Sequence, residues 1–370
     1  MPASPLPWPT VTDRLGPSRV MLARDPAAGL EAIVVVDNTA CGPAIGGVRI
    51  AGDVTVEEVA RLARAMTLKN AAAGLAHGGG KAGIVADPRT PAAEKARLVR
   101  AFGRAIREVL DYIPGPDMGT DEACMGHLHD EIGRAVGLPR VLGGIPLDAI
   151  GATGFGLAVA AEVAEEFAGV RLRGARVAIQ GFGAVGRHAA RFLADRGAVL
   201  VAAGDSAGAI ANRDGLDVTR LAAFKAEGGS LRDFPGGTRL AGEDLVAVDC
   251  DVWIPAARPD VLDAENAGRV RARLVLQGAN IPATPEAEAI LHARGVVSVP
   301  DFIANAGGVV CAAVEYHGGT EAQAFAAIEE KIRANTRAVL ARARSGGLLP
   351  RAAAEAIARD RLDEAAGYRR

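Results

Sequence analysis

Apolar and polar stretches alternate along this chain at two different periods. Residues 31–36, EAIVVV, form a short, almost continuous apolar run of strand length. The glycine-rich stretch GPAIGGVRI that follows reads as a turn. Thr55-Val56-Glu57-Glu58 has the form of a capping box, and Val59, Ala63, Met66 and Asn70 continue one face of a helix to about Ala73. Thr90-Pro91 opens a second predicted helix through AAEKARLVRAFGRAIREVL. This first region mixes strands and helices and ends near GGIPLDAI. Residues 174–205 read differently: ARVAIQ as a buried strand, GFGAVG as a glycine turn, RHAARFLADRG as a helix with Gly197 at its C-cap, and AVLVAAGD as a second strand ending at Asp205. Strand-like runs at CDVWIP, RLVLQGAN and GVVSVPDF each end in small or polar residues, where open parallel sheets gather ligands. From about Glu321 the pattern is helical and rich in alanine and charge. No repeat of solenoid period is present. The fold class expected is α/β, with two domains.

Composition narrows the function more than the fold. At 370 residues and 49% hydrophobic the chain can build two sizeable cores, and with 4% aromatics they are made of alanine, valine and leucine. A net charge of −2 favours neither nucleic acid nor an anionic membrane as partner. Cys41, Cys124, Cys250 and Cys311 are scattered with no C-x-x-C pair, which argues against a disulfide framework or a zinc site and fits a reducing, cytoplasmic setting. His127, His129 and Asp130 are spaced so that the two rings diverge on a helix, so no metal is expected. The opening, with Pro2, Pro5, Pro7 and Pro9, reads as a loosely structured arm with a subunit contact as one possible use, and not as a signal peptide. No run reaches the roughly 18 apolar residues of a membrane span.

Gly181-Phe182-Gly183-Ala184-Val185-Gly186 matches G-x-G-x-x-G between a predicted strand and a predicted helix. The first glycine permits the tight turn, the second lets the backbone approach a pyrophosphate, and the third lets helix pack on strand. Asp205 closes the next strand, where an acid suits the ribose diol of NAD and repels a 2′-phosphate. Ser206 follows it with no arginine immediately after, which favours NAD over NADP.

The segment from Met66 to Ile84, MTLKNAAAGLAHGGGKAGI, holds two lysines among almost no other charge. Burying an ammonium is costly, so Lys69 and Lys81 point to a site that holds an anion and needs a low-pKa amine. A P-loop would need glycine at 75 and Ser or Thr at 82, where Leu75 and Ala82 stand. The glycines before Lys81 read instead as a means of bringing backbone and a small substrate close to it. Asp117, in Pro116-Asp117-Met118-Gly119-Thr120, adds a carboxylate on a turn. Together the three could supply a base, an acid and an anchor.

The blocks GPAIGGVR, MTLKNAAAGL-x-x-GGGKAG, PDMGT, ATGFG, QGFGAVG, GDSAGAI, IPAA, QGAN and PDFIANAGGV, in this order, closely resemble the amino acid dehydrogenases of the glutamate, leucine, phenylalanine and valine type. The resemblance covers roughly residues 20–345. It implies a substrate-binding and oligomerisation domain over 1–148, completed by C-terminal helices 331–370, a Rossmann-type NAD domain over 149–330, and a cleft between them. It further implies that Lys69 binds the substrate α-carboxylate, that Lys81 is catalytic, and that Asp117 assists proton transfer. Gly46, Gly47, Met66 and Val309 match substrate-side positions. Thr153, Ala256, Asn280 and Asn305, with the glycine turn, Asp205 and Ser206, match positions near the cofactor. A homo-oligomer is implied.

Two positions bear on which amino acid is used. The glutamate enzymes carry a lysine where Ile45 stands and a serine where Ala312 stands, each contacting the side-chain carboxylate. With both apolar, a buried glutamate carboxylate would be unpaired. The expectation is NAD-dependent deamination of leucine, valine, isoleucine or phenylalanine, with a pocket most like the enzymes for those substrates. ATGFG and GDSAGAI look more like glutamate dehydrogenases, and Ala184 replaces a common asparagine. Glutamate therefore stands as the alternative, with Arg49 the nearest basic candidate. A non-catalytic NAD-sensing regulator is the rival from another class, one expected to lose Lys81 or Asp117.

Overall fold

The computed structural model describes residues 8–369, and the first seven residues of the proline-rich opening lie outside the described residues. The chain divides into two units. One comprises the residues up to Pro146, Cys311–Ala324 and the residues from Ala358; the other comprises Leu147–Val310 and Phe325–Ile357. The C-terminal segments that complete the first unit are therefore 311–324 and 358 onward rather than the expected 331–370.

The first unit is built on strands β1 (Arg19–Asp25), β2 (Leu30–Asn38), β3 (Ala44–Ala51), β4 (Gly78–Val85) and β5 (Tyr112–Pro116), in the order β1-β2-β4-β3-β5. β2 pairs antiparallel with β1 and β4, while β3 runs parallel to β4 and β5. Helices α1 (Val56–Ala72), α2 (Ala92–Ala105) and α3 (Glu122–Ile132) complete its N-terminal part. The period-2 alternation of a strand sorts β2 between two cores. Ala32, Val34 and Val36 join Phe102, Tyr112, Met125 and Leu128, whereas Ile33 and Val35 join Val59, Ala60 and Ala63 of α1. Thr55 caps α1 by accepting the Glu58 backbone N–H at 3.2 Å, as the capping box predicted.

Several expectations change here. GPAIGGVRI is not a turn: it becomes β3, one of the inner strands of the sheet, because its glycines serve close packing rather than chain reversal. The glycines before Lys81 lie in β4, the central strand. A Cβ on Gly79 would stand 2.0 Å from the Thr67 backbone nitrogen, so this glycine lets α1 lie directly on the strand. At Gly79 the missing Cβ thus brings two backbones together. The second helix stops at Ala105, short of the expected Leu110. The described part of the opening is tied down: Asp13 pairs with Arg64 at 2.8 Å, and Leu15 is buried.

The second unit carries β6 (Arg176–Gln180), β7 (Val199–Asp205), β8 (Gly208–Ala211), β9 (Thr238–Leu240), β10 (Val252–Pro255), β11 (Leu274–Leu276) and β12 (Val297–Val299), in the order β12-β11-β10-β6-β7-β8-β9. All neighbours are parallel except β7–β8 and β8–β9, an antiparallel extension the sequence pattern did not predict. The helices in chain order are α4 (Leu147–Ile150), α5 (Ala152–Ala168), α6 (Ala184–Ala194), α7 (Val218–Ala226), α8 (Pro285–Ala293), α9 (Asp301–Ala304), α10 (Gly307–Tyr316), α11 (Glu321–Gly346) and α12 (Pro350–Ala366), the last three contributing residues to both units. β6 continues to β7 on one side and has β10 on the other, so the order reverses at β6, where such sheets open a ligand crevice. Among the described residues no helix is long and apolar enough to cross a membrane.

Candidate active site

In the first unit, sheet register assembles a charged cluster from residues far apart in sequence. Lys81 lies opposite Val35 on β4, and Ala82 and Ile84 beside it enter the core packed on α2 and α3. Alternation therefore turns Lys81 to the α1 side of the sheet. On β3, Gly47 pairs with Gly115 and Val48 with Pro116, which brings the Asp117 turn alongside. A Cβ on Gly47 would lie 2.7 Å from the Asp117 Cβ and 3.2 Å from the Lys81 Nζ, so only glycine leaves room for that pair. Gly46, by contrast, is a packing glycine, since a Cβ there would collide with the Gly80 carbonyl.

The Lys81 ammonium donates to Asp117 Oδ2 at 2.8 Å, and the Arg49 Nε donates to the same oxygen at 3.0 Å. Arg49 also pairs with Glu58. Thr120 holds the turn from beneath: its hydroxyl donates to the Val48 carbonyl at 2.8 Å and accepts from the Asp117 backbone N–H at 2.9 Å. The Tyr112 hydroxyl donates to the Gly46 carbonyl at 2.8 Å. Burial dominates the Lys81 ammonium and pushes its pKa down, against the opposing pull of Asp117. Burial pushes the Asp117 carboxyl upward, but the Lys81 and Arg49 cations outweigh it and hold the group below the usual carboxylate range. The result is an ionised carboxylate beside an amine that gives up its proton more readily than a solvated lysine. Such a pair can act in proton transfer.

Lys69 and Met66 are half-buried near the C-terminal end of α1, on the helix that faces this side of the sheet. Ile45 is buried in a small apolar cluster with Ile113, Val136 and Ala312. Arg49, the basic residue nearest Ile45 in sequence, is committed to Asp117 and Glu58. Arg49 and Thr120 were not predicted as partners of Asp117, and only the strand register reveals them.

In the second unit, the expected glycine turn joins β6 to α6, which begins at Ala184, earlier than predicted. Gly181 has φ +96, and a Cβ there would sit 2.6 Å from the Ala256–Ala257 backbone. Gly183 by contrast faces open space, which fits a pyrophosphate lying against the backbone at a helix N-terminus. Phe182 is buried and supports the turn from within, whereas Ala184 and Val185 are half-buried. A groove of about 1110 Å³ runs along these carboxyl ends, lined by Gly181, Gly183, Asp205, Ser206, Lys225 and Ala256 among others. Asp205 ends β7 as expected, and Ser206 is exposed. The Asn305 amide donates to Asn280 Oδ1 at 3.1 Å and to the Ala279 carbonyl at 3.2 Å, which orients Asn280 at the end of β11. Thr153, in the first turn of α5, and Val309, in α10, are half-buried. Among the described residues no group of three His, Cys, Asp or Glu is placed to hold a metal ion.

The Glu/Leu/Phe/Val dehydrogenase dimerisation domain matches residues 17–134, and Glutamate/Leucine/Phenylalanine/Valine dehydrogenase matches residues 143–370. The chain is 37% identical to a glutamate dehydrogenase of Aeropyrum pernix, over 82% of this chain and 77% of that one. It is 41% identical to a glutamate dehydrogenase of Thermotoga maritima, over 76% and 71% respectively. Among solved structures, the hetero-hexameric glutamate dehydrogenase from Thermus thermophilus, in a leucine-bound form, superposes with a TM-score of 0.84 at 34% identity, covering 96% of this chain and 90% of that one. The fold and its matches define an amino acid dehydrogenase, an oxidoreductase acting on a CH–NH2 group, with an N-terminal dimerisation and substrate domain and a C-terminal Rossmann-like NAD(P)-binding domain. The chain belongs to the Glu/Leu/Phe/Val dehydrogenase family. These relatives are named glutamate dehydrogenases, so the leucine-type likeness expected of the pocket rests on its residues alone.

Proposed function

We propose that the protein oxidatively deaminates an apolar L-amino acid of the leucine, valine, isoleucine or phenylalanine type, giving the 2-oxo acid and ammonia, with NAD as acceptor. The observation that carries this reading is the apolar cluster of Ile45, Ile113, Val136 and Ala312. A glutamate side-chain carboxylate placed against that cluster would be desolvated without a cation, at a cost of several kcal/mol.

In this proposal the Lys69 ammonium pairs with the substrate α-carboxylate and fixes the orientation of Cα. A bound nicotinamide would supply the hydride acceptor. Once the substrate ammonium has given up a proton, loss of hydride from Cα leaves the 2-iminium acid. Lys81, with its pKa lowered by burial, takes a proton from water as the water adds to the imine carbon. Lys81 returns that proton through the Asp117 carboxylate to the amine, and ammonia leaves as the carbonyl forms and the hydroxyl proton passes back to Lys81. The cations around Asp117 stabilise negative charge developing on the added oxygen. Asn280, held by Asn305, and Thr153 serve the nicotinamide end, while Asp205 serves the adenosine ribose. The dimerisation-domain match and the hetero-hexameric relative support an oligomer, and assembly from copies of this chain alone belongs to the proposal.

A second reading, glutamate as substrate, is favoured by the names of the relatives. It requires a basic group for the side-chain carboxylate, and Arg49 is already engaged by two acids. NAD reduction followed by absorbance with L-leucine, L-valine, L-isoleucine, L-phenylalanine and L-glutamate separates the two. Turnover of the apolar substrates with little on glutamate is the expected result. A preference for glutamate would overturn the specificity reading and leave the lysine chemistry standing.

A further inference from the structure

The sequence pattern points to NAD, because Asp205 ends the second strand of the nucleotide unit with no arginine immediately after it. The structure changes the electrostatics of that position. The Lys225 ammonium, from α7, donates to Asp205 Oδ2 at 2.7 Å. The same carboxylate accepts the Leu231 backbone N–H at 3.0 Å and, through Oδ1, the Ala207 backbone N–H at 2.9 Å. Asp205 and Lys225 both line the groove that begins at the glycine turn. A carboxylate excludes a 2′-phosphate by repulsion, and a cation bonded to that carboxylate cancels the repulsion.

We propose that Lys225 makes the ribose end of this groove accept the 2′-phosphorylated dinucleotide, NADP, as well as NAD. The inference rests on the dinucleotide reading of the groove given above. Lys225 carries three rotatable N–H donors on a flexible stem, and its side chain is 30% exposed while that of Asp205 is 9% exposed. The lysine can therefore pivot toward a phosphate without leaving Asp205 bare, because two backbone amides still hold the carboxylate. With NAD the lysine stays on Asp205, and the carboxylate accepts the ribose hydroxyls. With NADP the lysine supplies a charge-assisted hydrogen bond to the phosphate. Of the other charged residues lining the groove, Arg258, Asp260, Asp263 and Glu265 lie on the chain that follows β10, on the other side of β6 from β7, and Arg269 is held by Asp244 at 2.8 Å. Glu243 is the remaining acid and limits how strongly the phosphate is favoured.

The test is direct titration of the full-length protein with NADH and with NADPH, read by nucleotide fluorescence and with no amino acid present. The two dissociation constants are expected within about tenfold of each other. K225M should raise the NADPH-to-NADH ratio of dissociation constants by about tenfold or more, and K225R should keep it near that of the unsubstituted protein. Discrimination against NADPH beyond about a hundredfold in the unsubstituted protein, or an equal effect of K225M on both nucleotides, would overturn this inference alone. Failure to bind either nucleotide would overturn both it and the dinucleotide reading.

Discussion

Replacing Asp117 by asparagine removes the negative partner of a buried ammonium while keeping the shape of the side chain. Two outcomes compete for Lys81. If it keeps its proton, the folded state holds an unpaired buried charge, at a cost of about 3–5 kcal/mol. If it sheds the proton, the cost is that of neutralising a lysine whose ordinary pKa is 10.5, at about 1.36 kcal/mol per pH unit below that value. That amounts to at most about 4 kcal/mol near pH 7.5 and about 1.4 kcal/mol near pH 9.5. The costs are comparable near neutrality, and deprotonation wins clearly in mild alkali. The variant should therefore regain stability as pH rises. Below the ordinary lysine pKa, the unfolded chain holds a proton that the folded site has given up, so unfolding takes up a proton and its free energy grows with pH. Denaturant melts of both proteins at several pH values between about 7 and 10 measure the difference. With Asp117 gone, the largest influence that raises the Lys81 pKa is gone and only the weaker pull of Glu58 remains, so the alkaline rise of residual deamination activity should move to lower pH. A stability loss independent of pH, or an activity limb that moves to higher pH, would refute this account of the pair.

Arg49→Met should act in the opposite sense on Lys81, because the nearby guanidinium helps to lower its pKa. The activity limb in deamination should move to higher pH, which a pH–rate profile of kcat/KM records. Ile281, just after Asn280, holds φ +48, a conformation costly for a β-branched residue. Ile281→Gly relieves that strain of about 1–2 kcal/mol against a glycine entropy cost of about 0.5–1 kcal/mol, so its melting temperature should rise.

The nucleotide unit was the most legible part of the chain because its signal is local. Strand, glycine turn, helix and acid follow one another within residues 174–205, and each carries its own propensity or packing constraint. The lysines were legible for a different reason: a lysine amid alanines and glycines has few explanations. β3 was misread because glycine marks turns in isolation, whereas here Gly46 and Gly47 meet the Gly80 carbonyl and the Lys81–Asp117 pair, contacts visible only once β3 lies between β4 and β5. The same holds for Arg49 on Asp117, which depends on the register of three strands. Lys225 stands twenty residues after Asp205 and reaches it only because α7 folds back on the end of β7. The division of the C-terminal helices escaped prediction because an alanine-rich helix has little contrast between its faces. α11 and α12 each contribute to both units, and no change in composition marks residue 324 or 357.

In the mechanism proposed above, the buried amine of Lys81 carries the proton chemistry of amino acid deamination. The decisive experiment is Lys81→Ala, with turnover of the best L-amino acid and NADH affinity measured on the same preparation. A loss of kcat of roughly 10²–10⁴-fold with NADH binding retained is expected. Turnover within a few-fold of the unsubstituted protein, with the nucleotide still bound, would contradict it.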